Sequence, residues 1–189
     1  RLASEGVKEL VLVAQETTLY GKDLTGEKQL PLLLHELCKI EGIEWIRLLY
    51  CYPEEITDEL IKVIKTEEKV CNYIDMPIQH SENRILQRMG RRTSREDLVA
   101  VIKKLRKEIP DITIRTTLIT GFPGESQEDH EGLMNFVEEC QFDRLGVFTY
   151  SPEEDTLAAT FEDQIDEEVK EERRDELMSL QQEISYEHT

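Results

Sequence analysis

The chain has 189 residues, and its 23 Lys and Arg stand against 41 Asp and Glu, giving a formal net charge of −18. This length suits one domain and is sufficient to bury a hydrophobic core without disulfides or metals. The charge excludes a protein that holds nucleic acid by bulk electrostatic attraction, because phosphate would be repelled. No apolar run approaches the roughly 18 residues that a membrane span needs.

The acidic residues are concentrated at the C-terminal end. Residues 151–189 contain 14 Asp and Glu against 3 Lys and Arg, a net charge of −11. The segment from Arg84 to Lys107 has the opposite character, with nine basic residues and two acidic ones. Its basic residues are most simply a solvated helical face, and a patch for RNA or an acidic partner is the alternative.

The four cysteines lie far apart in sequence. Their spacings of 13, 20 and 69 residues match no zinc or iron–sulfur ligand pattern; the cysteines are Cys38, Cys51, Cys71 and Cys140. Widely spaced thiols indicate a reducing compartment, so we expect a cytoplasmic protein. The chain opens at Arg1 without a starting Met, and we expect this N-terminus to be a cut.

Hydrophobic periodicity predicts alternating strands and helices. The run LVLVA predicts a first strand buried on both faces, and Thr57, Ser94 and Ser126 are predicted helix N-caps. In chain order the predicted elements are strand Leu10–Ala14, helix Leu30–Ile40, strand Trp45–Tyr50, helix Asp58–Lys65, strand Asn72–Asp75, helical turns Glu82–Met89, helix Ser94–Lys107, strand Ile112–Ile119, helix Ser126–Glu139, strand Leu145–Tyr150 and helix Asp166–Ser185. The alternation predicts a parallel sheet, and periodicity alone leaves open a doubly wound sheet or a partial barrel.

Polar, aromatic and Gly/Pro residues follow the predicted strands, at the ends where such folds bind ligands. The most specific segment is Gly121-Phe-Pro-Gly-Glu125, where two glycines would let a ligand approach the backbone. It is not a P-loop, because no Gly-Lys-Ser/Thr follows. An ordinary strand–helix turn is the alternative.

Charged residues also occur within the predicted strands. Arg47, Asp75 and Arg115 predict a polar barrel lumen, with a structural ion pair as the alternative. His80 follows the third strand, and a lone loop histidine is more often structural than catalytic.

Taken together, several segments resemble the radical S-adenosylmethionine methylthiotransferases, and in particular the branch that modifies a ribosomal protein. The resemblance covers nearly the whole chain in collinear order, through ELVLVAQETTLYG, WIRLLYCYP, DMPIQH, LQRMGR, IRTTLITGFPGE, FDRLGVFTYSPEE and LMSLQQEIS. GFPGE is shared with the transfer-RNA-modifying members, whereas RLLYCYP, DMPIQH and GVFTYSPEE together point to the ribosomal-protein branch.

This resemblance implies an α/β fold, an incomplete (βα) TIM-like barrel of the radical SAM type that lacks its first strand. Residues 1–160 would supply barrel strands two to six, and residues 161–189 an acidic C-terminal helix leading toward a TRAM domain outside this sequence. Family members hold a [4Fe–4S] cluster through Cys-x3-Cys-x2-Cys, a motif that this sequence does not contain. The resemblance therefore assigns no metal ligand or catalytic residue here, and we expect the fragment alone to be inactive.

The resemblance also implies which residues bind the cofactor S-adenosylmethionine. The first loop would meet the methionyl amino group, the fourth strand would line the pocket, the Gly/Pro segment would approach the adenine, and two residues would lie on the rim. In that order the residues are Gln15, Glu16 and Thr17; Arg115 and Thr117; Gly121, Phe122, Gly124 and Glu125; and Gln79 and Tyr150. Glu16 stands where relatives often carry Asp.

The implied activity is methylthiolation of the β-carbon of an aspartate in a small-subunit ribosomal protein. The alternatives are the core of a transfer-RNA adenosine methylthiotransferase and a non-catalytic binding domain. We expect a ribosomal protein as partner, no membrane and no direct binding of nucleic acid. A non-native dimer through the exposed barrel edge is a further expectation.

Overall fold

The computed structural model describes residues 1–13, 20–21 and 29–188, which form two compact units. Unit 1 consists of Arg1–Pro77 and Val101–Ile114, and unit 2 of Ile78–Ala100 and Arg115–Thr189. In chain order the strands and α-helices are β1 Glu9–Leu12, α1 Leu30–Cys38, β2 Trp45–Leu48, α2 Asp58–Thr66, β3 Tyr73–Asp75, α3 Asn83–Arg88, α4 Arg95–Glu108, β4 Thr113–Thr120, α5 Gln127–Cys140, β5 Arg144–Thr149 and α6 Glu167–Glu187. Short 3-10 turns occupy Ala3–Glu5, Pro53–Glu55 and Ala158–Thr160.

Unit 1 is built on parallel strand pairing. β1 runs parallel to β2, with Glu9 opposite Trp45 and Leu12 opposite Leu48. β4 begins in this unit beside β3, where the N–H of Thr113 donates to the carbonyl of Asn72 at 2.9 Å. Helices α1 and α2 contact each other, and the apolar core of the unit includes Leu34, Ile46, Leu48, Ile64, Ile74 and Leu105.

Unit 2 contains the rest of β4, which pairs in parallel with β5 from Arg115 opposite Arg144 to Thr120 opposite Thr149. Helix α6 packs against β5 and α5. Its buried apolar residues join a core that includes Leu118, Leu133, Phe136, Val137, Phe142, Leu177 and Ile184. The functional boundary predicted between residues 160 and 161 stays a prediction.

Local sequence signals set three helix starts, as predicted. Thr57 Oγ1 accepts the N–H of Leu60 at 3.1 Å. Ser126 and Asp129 form a reciprocal capping box, in which each side chain accepts the other's backbone N–H. Ser94 forms the same box with the residue three positions later. These side chains satisfy N–H groups that have no partner within the helix.

The predicted α/β class with parallel strands is confirmed. Over the described residues the strands form a two-stranded sheet, β1-β2, and a three-stranded sheet in the order β3-β4-β5, without closing into a barrel. In β4 buried and half-buried positions alternate along all eight residues, so Ile114, Thr116 and Leu118 share the buried face. Within the described part of the chain, no helix is both long enough and apolar enough to cross a membrane.

The expectation that the first strand is buried on both faces is wrong. β1 ends at Leu12, and the side chains of Val11 and Val13 are 47% and 58% exposed. Among the described strands β1 has a hydrogen-bonded neighbour on one side only, β2. The apolar run therefore forms a strand but does not imply cover on both faces.

Candidate functional site

The carboxyl end of β4 brings several predicted site residues together in unit 2. On one side the N–H of Gln79 donates to the carbonyl of Thr117 at 3.0 Å, and the N–H of Ile119 donates back to Gln79 at 2.8 Å. On the other side the N–H of Tyr150 donates to the carbonyl of Thr120 at 2.9 Å. Gln79 and Tyr150 therefore flank the end of β4, from which residues 121–125, called the site loop, continue.

An aromatic cluster covers part of the site loop. The ring of Phe122 packs edge-on against Tyr150, with 5.1 Å between centroids, and against Phe161 at 6.3 Å. Phe122 is buried, so this predicted site residue serves apolar packing in the structure.

The two glycines of the site loop accommodate side chains of the same chain. Gly121 has a φ of 74°, and an added Cβ would overlap Cγ of Lys170 and lie 2.9 Å from its Cβ. Gly124 has a φ of 91°, and its added Cβ would lie 2.8 Å from a carboxylate oxygen of Asp163 and 2.9 Å from the guanidinium of Arg88. The sequence predicted that a ligand would approach the backbone closely at these glycines. In the structure the side chains of Lys170, Arg88 and Asp163 lie there.

Glu125 is buried at the end of the site loop and is fully engaged. Its Oε2 lies 2.7 Å from Nε2 of His80. Its Oε1 accepts the N–H of Gly121 at 3.0 Å and Nη1 of Arg173 at 2.8 Å. Burial raises the pKa of the Glu125 carboxyl, but the hydrogen bonds from His80, Gly121 and Arg173 outweigh burial and hold the pKa below its usual value.

Helix α6 contributes two buried cations that the sequence analysis did not single out. Lys170 is 1% exposed, and its Nζ donates to the carbonyl of Tyr150 at 3.0 Å. Arg173 donates to both the carbonyl and the carboxylate of Glu125. The signal was present in the sequence, because these are basic residues three positions apart in a strongly acidic helix, a spacing that places them on one face.

Two polar atoms of the predicted rim residues are buried without a hydrogen-bond partner among the described residues. They are Oε1 of Gln79 and the hydroxyl of Tyr150. Native proteins pair nearly all such atoms with protein groups, ligands or ordered water, so both atoms are available to a polar partner. A molecule with amino, hydroxyl and carboxylate groups, such as S-adenosylmethionine, fits this donor and acceptor pair.

The remaining predicted residues are distributed differently. Arg115 and Thr117 are both half-buried and share one face of β4, opposite Arg144 and Gly146 of β5. Gln15, Glu16 and Thr17 lie outside the described residues, so their predicted role stays a prediction.

The residues that predicted a polar lumen differ in burial and in their partners. Arg47 is not a buried charge: it pairs with Glu9 at 3.0 Å, and both side chains are about two fifths exposed, at 39% and 41%. Its guanidinium also lies 4.7 Å from the ring centroid of Tyr73. Asp75 is buried and accepts the N–H of Tyr50 at 3.1 Å. The ion-pair alternative therefore describes Arg47, while Asp75 caps a loop backbone.

No group of three or more His, Cys, Asp or Glu within residues 1–13, 20–21 and 29–188 is placed to hold a metal ion. The described residues therefore do not fit an iron–sulfur cluster, and we assign none of them to it.

Sequence comparison defines the class of the protein. A profile of the Radical SAM superfamily matches residues 1–137, and the chain belongs to this superfamily. Individual curated relatives narrow the assignment within this superfamily.

The ribosomal protein uS12 methylthiotransferase RimO of Lachnoclostridium phytofermentans is 64% identical over 186 residues, which cover 98% of this chain and 42% of that protein. The enzyme of the same name from Clostridium perfringens is 60% identical over 187 residues, 99% of this chain and 42% of that protein. The resemblance stated from the sequence motifs is confirmed, and the chain spans about two fifths of the length of these relatives.

Solved structures confirm the fold. Coproporphyrinogen III oxidase HemN of Escherichia coli, described as a radical SAM enzyme, superposes with a TM-score of 0.67 at 20% identity, covering 82% of this chain and 37% of that one. The radical S-adenosylmethionine methyltransferase TsrM of Kitasatospora setae superposes with a TM-score of 0.60 at 17% identity, covering 78% of this chain and 28% of that one. At these identities the likeness concerns the fold alone.

Proposed function

We propose that this chain is the cofactor-binding core of a ribosomal protein uS12 methylthiotransferase. The observation that carries the proposal is the 64% identity to a curated enzyme of that name across 98% of the chain. In the whole enzyme the product would be an aspartate of uS12 that carries a methylthio group on its β-carbon. Such an enzyme acts on ribosomes or their components and would work in the cytoplasm.

S-adenosylmethionine is the proposed cofactor of this chain. The orphaned Oε1 of Gln79 and hydroxyl of Tyr150 are the described groups that would bind its polar parts. Arg115 and Thr117 share the face of β4 that would line its pocket. When bound, this cofactor would supply radical chemistry that activates an unreactive C–H bond.

The described residues of unit 2 would bind and orient the cofactor rather than react with it. The buried ring of Phe122 packs against the half-buried rings of Tyr150 and Phe161 and would shield the end of β4 from water. The site loop is held by buried hydrogen bonds through Glu125. A rigid, largely dry pocket edge of this kind lowers the cost of ordering a ligand.

The charge of the chain favours a basic protein as substrate. Residues 151–189 carry a net charge of −11, and α6 lies within this segment. Such a surface repels bare RNA and attracts a basic protein, as ribosomal proteins are.

A chimeric enzyme tests the proposal in cells. The 186 matched residues of this chain replace the corresponding segment of the L. phytofermentans relative, and the chimera is expressed in cells whose own gene for the enzyme is deleted. We expect uS12 from these cells to gain the mass of one methylthio group in place of one hydrogen. Cells expressing the relative itself are the positive control, and cells with an empty vector are the negative control.

Transfer RNA isolated from the same cells tests whether transfer RNA, rather than uS12, is the substrate. A gain of methylthio-adenosine in transfer RNA, with uS12 unmodified, would replace the proposal by a transfer-RNA enzyme. A chimera that accumulates in folded form and modifies neither substrate would favour a non-catalytic binding domain.

A further inference from the structure

Gln79 has an unusual backbone at the edge of the candidate site. Its φ is 71°, in the left-handed region that residues with a side chain seldom adopt. The N–H of His80 donates to the carbonyl of Ile78 at 2.9 Å, so the three residues form a γ-turn with Gln79 at its centre. Turns of this kind with positive φ are rare and strained. Such strain persists where neighbouring contacts impose it, and it is concentrated at functional sites.

The residue after Gln79 is anchored through its side chain, while the Gln79 backbone itself is paired with β4. His80 is fully buried, and its Nδ1 accepts the N–H of Glu82 at 3.1 Å. Because Nδ1 accepts the N–H of Glu82, the ring donates to Oε2 of Glu125 through Nε2, at 2.7 Å. Both ring nitrogens are therefore used, and the ring has one orientation.

Glu125 links the turn to the site loop and to α6. Its other oxygen accepts the N–H of Gly121, the first residue of the site loop. Arg173 of α6 donates to the same oxygen and to the carbonyl of Glu125. A single buried carboxylate thus joins the Gln79 turn, both ends of the site loop and the C-terminal helix.

The atom that this arrangement aims is the orphaned Oε1 of Gln79, which is buried without a partner among the described residues. A strained turn that serves only packing has no need to present an unpaired buried acceptor. A turn that presents an acceptor to a ligand needs this arrangement. Folding then supplies the free energy of the strain, so binding does not have to.

We propose that His80, Glu125 and Arg173 are positioning residues, which together hold Gln79 and the site loop in the arrangement that receives S-adenosylmethionine. The inference rests on the proposed function for the identity of the ligand. None of the three residues needs to touch the ligand, and they act through Gln79 and the site loop.

Unit 2 contains a matched control for this role. His130 is also fully buried, and its Nε2 lies 2.7 Å from Oε2 of Glu176 on α6. This pair ties α5 to α6 and makes no contact with Gln79 or the site loop in its hydrogen bonds. Loss of His130 removes a hydrogen bond to a carboxylate that is 47% exposed. Loss of His80 removes the buried bond to Glu125 and the bond to the N–H of Glu82, both beside the Gln79 turn.

The test measures affinity for S-adenosylmethionine by calorimetry on the chimera described above, reconstituted under anaerobic conditions. His80→Leu should weaken binding by about tenfold or more, since a buried acceptor loses its donor. His80→Gln retains an N–H donor and should stay within about threefold of the parent. His130→Leu should lower the melting temperature without changing the affinity.

A second experiment measures hydrogen exchange of the backbone amides in the 189-residue chain. His80→Leu should speed hydrogen exchange at the N–H groups of Gln79 and Gly121, whereas His130→Leu should not. Should His80→Leu fail to fold, Glu125→Gln carries the same test, because it keeps the shape and weakens the bonds to His80 and Arg173.

The outcomes separate the two proposals. If the parent chimera does not bind S-adenosylmethionine, the proposed function is wrong. If the parent binds and folded His80→Leu binds equally well, the positioning role is wrong while the function stands. Equal loss of affinity in His80→Leu and His130→Leu would also overturn it, since the effect would then be general destabilisation.

Discussion

The aliphatic chain of Lys170 lies directly against the α-carbon of Gly121. An added Cβ at Gly121 would overlap Cγ of Lys170 and lie 2.9 Å from both Cβ and Cδ. These are inner atoms of a side chain whose Nζ is fixed to the carbonyl of Tyr150. The first glycine of the site loop is therefore required by α6 as well as by its own backbone.

Gly121→Ala should be strongly destabilising because the new methyl group collides with Lys170. Gly90 is a matched control, since its φ of 76° is close to the 74° of Gly121 and no atom lies within 4 Å of an added Cβ. We expect Gly90→Ala to cost about 1 kcal/mol for the left-handed backbone alone. Gly121→Ala should cost about 1–3 kcal/mol more through overpacking. Urea unfolding of both variants measures the difference, and equal losses would show that Lys170 yields freely.

Glu125 should make the free energy of unfolding decrease as the pH falls in the acidic range. Burial raises the pKa of this carboxyl, but the hydrogen bonds from His80, Gly121 and Arg173 prevail and lower the pKa below the usual value. The unfolded chain, with an ordinary Glu pKa of about 4.3, then takes up a proton before the folded chain does. The contribution of Glu125 is present above that pH and is lost as the pH falls through the lowered folded pKa.

The check compares parent and Glu125→Gln by urea unfolding at a series of acidic pH values. The variant should be less stable at neutral pH and lose less stability between pH of about 5 and 3. Glu162 is exposed, so Glu162→Gln serves as the control and should follow the parent. Parallel curves for parent and Glu125→Gln would mean that the carboxylate contributes nothing to the acid sensitivity.

Ser126 should contribute measurably to the start of α5. Its Oγ accepts the N–H of Asp129 at 3.1 Å, and Oδ2 of Asp129 accepts the N–H of Ser126 at 2.9 Å. Ser126→Ala removes one acceptor for a helix-terminal N–H and should cost about 1 kcal/mol. Ser126→Asp keeps an acceptor and should cost less. Thermal unfolding ranks the variants, and an alanine variant as stable as the parent would show that water replaces the cap without loss.

Cys38 and Cys71 should react slowly as nucleophiles in the folded chain. Burial raises the pKa of both thiols, and the nearby carboxylate of Glu67 raises that of Cys38 further. The thiolate is the reacting form, so its share at neutral pH is reduced. Alkylation by iodoacetamide, mapped by mass spectrometry across a pH series, should show midpoints above the free-thiol value of about 8.5. The urea-unfolded chain is the control, and identical pH midpoints in both states would contradict the effect of burial.

Patterns confined to a few neighbouring residues predicted the structure well. The caps at Thr57 and Ser126 depend on atoms that lie within three residues of each other. Such signals are independent of the rest of the chain. The exposure of the β1 side chains depends on distant segments, because the number of neighbouring strands decides how much of the apolar run is buried.

The site was less accessible to sequence reasoning because its contacts join distant segments. Arg173 meets a carboxylate 48 positions away, and His80 meets the same group 45 positions away. On an acidic helix, Lys170 and Arg173 resemble members of a solvated charged surface. Only the packing of α6 against β5 shows that they are buried beside the site loop.

The mass of uS12 tests the central claim most directly. The uS12 protein is isolated from cells that lack their own enzyme and express the chimera containing the 186 matched residues of this chain. We predict that intact uS12 carries one added methylthio group, as it does in cells that express the unaltered relative. Unmodified uS12 in cells where the folded chimera accumulates would contradict the proposal that this chain is the core of a uS12 methylthiotransferase.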